Sequence, residues 1–172
     1  MNRSLSTCCF FGHRKIVETD KIANKLKESI ERLITESKVD TFLFGSKSQF
    51  DKLCHSIVTQ LKEKYPHTRR IYVRAEFPYI NKDYTMYLLK SFENTYYPQK
   101  IINAGKAVYV ERNYEMIDNS SYCIVYFNEN YTPMMRKRNK KAITNYEPKS
   151  GTKIAFEYAV KKEKKIINLF EE

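Results

Sequence analysis

The sequence predicts an α/β protein built on a mostly parallel sheet with helices on both faces. Three observations predict it. Short apolar runs appear whose residues do not alternate with polar ones, as in strands buried on both sides. Stretches with apolar residues at helical spacing separate these runs, and glycine or capping residues such as Gly12, Thr19, Gly45 and Gly151 mark the junctions.

Thr7-Cys8-Cys9-Phe10-Phe11 is the first run, and Gly12 ends it, so a buried strand is expected to run into a tight loop. Beyond His13-Arg14-Lys15, Thr19 is placed to cap a helix with Asp20 in its first turn. Ile22, Leu26, Ile30, Leu33 and Ile34 give that helix one apolar face, ending near Ser37. Thr41-Phe42-Leu43-Phe44 is the second strand. Ser46, with Gln49 three residues later, fits a capping box, and the helix it opens carries Phe50, Leu53, Cys54, Ile57, Val58 and Leu61 inward. Arg70 to Arg74 reads as a third strand and the aromatic residues around Pro78 as a loop. A third helix is expected from about Lys82 to Asn94, broken by Tyr96-Tyr97-Pro98. Ala107 to Val110 reads as a fourth strand and Tyr114 to Ser120 as a short helix. Tyr122 to Phe127 is the most apolar run and is expected at the centre of the sheet. After a polar, basic stretch, Ser150-Gly151-Thr152 opens a last helix with Ile154, Ala155, Tyr158, Ala159 and Val160 inward, and Ile166 to Phe170 closes as a strand. The result is a Rossmann-like three-layer α/β/α sandwich with a mostly parallel sheet, one domain over residues 1–172, with a basic loop insertion at about 128–150.

Composition bounds the function. A hydrophobic fraction of 42% supports a packed core despite 30% charged residues, which sets intrinsic disorder aside. No apolar run approaches the roughly 20 residues of a membrane helix, and Met1 to Thr7 is too polar, and Cys8 to Phe11 too short, for a secretory signal. A cytoplasmic protein with no membrane partner is expected. Cys8, Cys9, Cys54 and Cys123 form no CxxC pair, so neither a disulfide framework nor a zinc site is indicated. Cys8, Cys9 and His13 cannot easily share a metal, because adjacent strand residues point to opposite faces. No metal is expected and no cofactor is required.

In an open parallel sheet, ligands bind beyond the carboxyl ends of the strands. Four polar segments are expected there: Gly12-His13-Arg14, Gly45-Ser46-Lys47, Glu111-Arg112-Asn113 and Ser150-Gly151-Thr152. Glycine admits close backbone approach, hydroxyls cap and bond, and helix amides with Arg14 or Arg112 can hold a phosphate. Singly, each segment also reads as an ordinary turn or helix start, and His13 as a surface histidine rather than an acid or base. Together they point to a phosphorylated or nucleotide-like ligand. Neither a Walker pattern nor GxGxxG is present.

Phe11-Gly12-His13-Arg14, Phe44-Gly45-Ser46 with Phe50-Asp51, Arg112 to Asp118, and Ser150-Gly151-Thr152 with Glu157-Tyr158-Ala159 occur in that order over nearly the whole chain. This set resembles the YpsA-like branch of the SLOG superfamily, which also holds the Lonely Guy phosphoribohydrolases and the DNA-processing protein A fold. The resemblance implies a Rossmann-like domain binding a nucleotide or a nucleotide-derived molecule of the NAD or ADP-ribose kind. It implies a pocket lined by Gly12, His13, Arg14, Gly45, Ser46, Arg112, Asn113, Ser150, Gly151 and Thr152. Lonely Guy enzymes carry Arg-Lys-x-x-Met and PGGxGTxxE segments. Here Arg112 and Met116 fit the first, with Asn113 in place of the Lys, and Ala155 stands where the second has its Glu. Glu157 lies two residues further, about 200° around the helix. Hydrolysis would lack a carboxylate to stabilise an oxocarbenium-like centre, so binding is favoured over catalysis, with Asp118 and Glu157 as outlying acid candidates.

The net charge of +11 adds a competing reading. Arg136, Lys137, Arg138, Lys140 and Lys141 form one cluster and Lys161, Lys162, Lys164 and Lys165 another. With Tyr126, Tyr131 and Tyr146 nearby, they could contact nucleic acid, close as a lid over an anionic ligand, or simply form a solvated face. Three classes follow: a nucleotide binder or sensor, a phosphoribohydrolase acting on nucleoside monophosphates, and a nucleic-acid-binding protein. The 14 tyrosines suit amphipathic surfaces, and a homodimer is ordinary for the superfamily resembled.

Overall fold

Every strand pairs in parallel with its neighbours. A computed structural model describes residues 7–131 and 150–170, and in it β1 (Thr7–Gly12), β2 (Thr41–Phe44), β3 (Arg69–Val73), β4 (Asn94–Tyr96), β5 (Tyr122–Tyr126) and β6 (Lys165–Asn168) form one sheet. Its order is β4-β3-β2-β1-β5-β6. The chain moves outward from β1 through β2 and β3 to β4, then returns to lay β5 on the other side of β1. Right-handed crossovers then demand that the helices change face when the direction reverses.

They do. On one face, α1 (Asp20–Thr35) and α2 (Gln49–Lys64) bury Leu26, Ile30, Cys54, Val58 and Leu61 against Cys8, Phe10, Phe42, Phe44 and Ile124. On the other, α4 (Val108–Asp118) and α5 (Gly151–Lys161) bury Met116, Ile117, Ala155 and Ala159 against Cys9, Leu43, Val73, Cys123 and Val125. Cys8 and Cys9 therefore face opposite cores, and all four cysteines are buried and unpaired by disulfide. A short α3 (Lys82–Leu88) leads into β4 at the sheet edge. The expected three-layer α/β/α sandwich is the architecture found.

Four local expectations are corrected. Ala107 to Val110 is not a strand: Val108 begins α4, because Arg112 and Met116 repeat at helical spacing and are buried together beneath it. The third helix stops at Leu88, and Asn94–Tyr96 pairs with β3 as a three-residue edge strand. Ser48 rather than Ser46 caps α2, its hydroxyl accepting from the Asp51 amide at 3.0 Å. Val160 is 53% exposed, pointing away from the core that Ala155 and Ala159 enter. β5 is interior, paired with β1 and β6, while β2 and β1 share the centre.

The cluster of Arg136, Lys137, Arg138, Lys140 and Lys141, and with it Tyr146, lies outside the described residues. Among the described residues, no helix is long and apolar enough to cross a membrane.

Candidate functional site at the carboxyl edge of the sheet

Strand order reverses between β1 and β5, and the loops leaving these strands diverge to opposite faces. Such a switch point opens a crevice in doubly wound sheets. Here one hydrogen bond bridges it: the Asn128 amide donates to His13 Nε2 at 2.9 Å. A nitrogen that accepts carries no proton, so neutral His13 holds its proton on Nδ1. That Nδ1 is buried and has no partner among the described residues. The ring is 2% exposed, stacked on Tyr131 at 3.9 Å between centroids and edge-on to Tyr126. Burial holds the His13 pKa below its ordinary value.

Gly12 serves packing at this point. A Cβ there would lie 2.3 Å from ring atoms of Phe50, which is fully buried at the start of α2. The loop after β1 is tied to the same helix: the Gln49 amide donates to the Arg14 carbonyl at 2.9 Å, and the Ile16 amide donates to Gln49 Oε1 at 3.1 Å. The Arg14 side chain is exposed.

A second corner lies at the ends of β2 and β3. Asp51, 4% exposed in the first turn of α2, accepts from the Ser46 amide at 2.9 Å through Oδ2. Its Oδ1 is buried and has no partner among the described residues. Burial pushes the Asp51 pKa up to about 6, against the opposing pull of the Ser46 bonds and the Arg112 charge. Arg112, also 4% exposed, reaches from α4 so that Nη1 donates to the carbonyls of Gly45 and Val73 and Nε donates to Asn113 Oδ1. Burial also lowers its pKa, disfavouring its charge. Gly45 permits this, since a Cβ would sit 2.7 Å from Met116 Sδ and 2.9 Å from Arg112 Nε.

Three of the four polar segments are thus joined through the protein: Arg14 to Gln49, Asp51 to Ser46, Gly45 to Arg112. Glu111-Arg112-Asn113 arrives there from within a helix, not from a strand end. The amides at the start of α2 are largely spent, because Gln49 bonds Arg14, Asp51 bonds Ser48, and the Ser46 amide just upstream bonds Asp51. At α5, Ser150 Oγ accepts from the Lys153 amide, leaving the amides of Gly151 and Thr152 without intrahelical bonds. α5 packs on β1 and β5, and Phe156 stacks on Phe127 at 4.6 Å.

The sequence marks Asp51 only within the Phe50-Asp51 pair of the resemblance and by the capping signature Ser48-x-x-Asp51, and Tyr131 only as an aromatic neighbour of the basic cluster; nothing local marks Asn128, and the place of both Asn128 and Tyr131 beside His13 depends on the β1–β5 pairing. Among the described residues, no cluster of His, Cys, Asp or Glu could hold a metal ion. No family model matches the chain, and no curated protein matches it either.

Proposed function

We propose that this chain binds a nucleotide or a nucleotide-derived molecule, of the NAD or ADP-ribose kind, at the carboxyl edge of its parallel sheet, and holds it without converting it. The observation that carries the reading is the β1–β5 switch point, where a buried histidine keeps an unspent Nδ1 proton beside the loop that leads to α5. The amides of Gly151 and Thr152 suit a phosphate, with Thr152 and Ser150 hydroxyls close in sequence and the helix dipole in the favourable sense. Arg14 and Lys47 are exposed on the other loops and open to a ligand, whereas the Ser46 hydroxyl accepts from the Ser48 amide at 3.1 Å.

Carboxylate placement supports binding over turnover. Ala155, where the Lonely Guy pattern has its glutamate, is fully buried in the core. Asp118 accepts from Tyr158 Oη at 2.8 Å and pairs with Lys100 at 3.5 Å, so it is engaged in holding α4 to its surroundings.

Thermal shift and calorimetry of the purified chain against nucleoside mono- and diphosphates, ADP-ribose and nicotinamide dinucleotides test the reading, with product analysis of each hit. Ligand at 100 times its Kd should stabilise the fold by about 2.7 kcal/mol. A hit recovered intact is the expected result. Recovery as free base would replace the reading with hydrolysis, and no hit across the panel would overturn it.

A further inference from the structure

Five of the nine large apolar or aromatic residues exposed among the described residues fall in one short stretch, the loop after β3 and the helix α3 that follows it. Phe77, Tyr79, Met86, Tyr87 and Leu89 are between 44% and 86% exposed. Their rings are linked in space, because Tyr84 lies 6.4 Å from Phe77 and 6.2 Å from Tyr87 between centroids. At about 200 Å² per aromatic side chain, such exposure leaves roughly 500 to 600 Å² of largely apolar surface open, the upper end of what a lone soluble chain ordinarily shows. We propose that two copies of this chain associate through this face, with α3 packed antiparallel on α3 of the second copy about a two-fold axis. The face and the register follow from these residues, not from the family resembled.

Charge selects the occupant. Residues 75–92 carry two acidic side chains, Glu76 and Asp83, and two basic ones, Lys82 and Lys90, so the face is neutral on a chain of net charge +11. A phosphate backbone or an anionic lipid surface is drawn to clustered Lys and Arg, which this face lacks. A second copy, equally positive, is repelled least where local charge cancels.

Spacing selects the arrangement. Leu88 turns into the core, while Asp83, Met86, Tyr87 and Lys90 are exposed at the i, i+3, i+4, i+7 spacing of one helix face, Lys90 standing in the turn that continues α3. Met86 and Tyr87 sit midway between the two charges. A two-fold axis through that midpoint sets the apolar pair against itself and brings Asp83 opposite Lys90 of the second copy at both ends. A parallel pairing would instead set like charges together. Neither Asp83 nor Lys90 forms an ion pair among the described residues. Two such faces bury roughly 1,000 to 1,200 Å² in total, the low end of specific interfaces, which suits micromolar association. The face stands at the β4 end of the sheet, three strands from β1, so the inference does not depend on the nucleotide reading.

Sedimentation velocity of the full chain from about 1 to 200 μM tests the pairing. A species of twice the 20.5 kDa chain mass is expected to grow with concentration. Asp83→Lys alone and Lys90→Asp alone should each raise the dissociation constant at least about tenfold, because like charges then meet at both ends of the helix pair. An equimolar mixture of the two variants should associate again, since every contact in the mixed dimer is once more between opposite charges. Tyr87→Ser should leave a monomer, with the far-UV circular dichroism of each exposed-site variant unchanged. A native chain that stays monomeric throughout, a dimer indifferent to Asp83→Lys, or two variants that fail to associate when mixed would overturn the proposal. A monomer that instead binds a single-stranded oligonucleotide or anionic vesicles, and loses them on Tyr87→Ser, would also overturn it and give the face to that partner.

Discussion

At the β2–β3 corner Asp51 is buried with one carboxylate oxygen bonded and Arg112 nearby; at the β1–β5 corner His13 is buried with one ring nitrogen bonded and tyrosines around it. Burial disfavours the charged form in both, but the groups ionise in opposite directions. The Asp51 pKa rises to about 6 and the His13 pKa falls. The Asp51 corner is thus most stable in acid, and the His13 corner in neutral solution and above. The corners also differ in their fasteners: a guanidinium bonded to two carbonyls locks the first, whereas one neutral hydrogen bond and a ring stack close the second. A ligand displaces neutral contacts at far lower cost than it displaces buried charge, which places adaptability at the switch point and rigidity at Gly45.

Replacing Arg112 should break this contrast most severely. Arg112→Ala leaves two carbonyls unbonded and Asp51 without its favourable charge, and a loss of about 3 to 5 kcal/mol is expected by urea denaturation. Arg112→Lys should recover little, since an ammonium cannot reproduce the fork.

The proton response comes next. Because Asp51 binds its proton more tightly folded than unfolded, its stabilising contribution is full below the ordinary value near 3.8 and is lost as pH rises through about 6. At about 1.4 kcal/mol per pH unit, the loss reaches about 3 kcal/mol. Asp51→Asn should flatten that slope between about pH 4 and pH 6, as read from denaturation midpoints. His13 has the reverse sign: its depressed pKa gives stability that is present above its ordinary 6.5 and lost as pH falls through the lowered value.

Gly12→Ala should cost about 2 kcal/mol, because Phe50 is buried and has no room to retreat. Gly45→Ala should cost less, since the atom it meets most closely is the flexible thioether of Met116. Phe50→Leu in the Gly12→Ala background should restore part of the loss. The smallest effect is expected for Tyr131→Ala, about 1 kcal/mol for a lost ring stack. Its sharper readout is the His13 ring titration by NMR, which should move back toward 6.5 once the ring is uncovered.

Apolar runs and helical spacing made β1, β2, β3, β5, α1, α2 and α5 legible in the sequence, because each is fixed by burial on faces the local pattern already declares. Val108-Tyr109-Val110 misled for a physical reason. β-branched residues suit a strand, yet the alternative that buries Arg112 and Met116 one and two turns later outweighs that preference. β4 escaped notice because three residues carry no period. The site was half legible: Gly12, Gly45 and Ser150 stand at the carboxyl edge where expected, but both glycines that looked open to a ligand are filled by Phe50, Met116 and Arg112. Which amides remain unspent depends on pairings across the chain that no local pattern encodes.

The position of β1 also has a cost in time. Its two neighbours lie far apart in sequence: β2 follows within one crossover, but Cys9 lies opposite Cys123, 114 residues on. During synthesis at about 5 to 20 residues per second, the β5 side of β1 waits on the order of ten seconds for its partner. Through that interval an apolar strand with one unfilled edge is presented to everything else in solution, so the nascent N-terminal half, more than the finished molecule, is the form most in need of a chaperone.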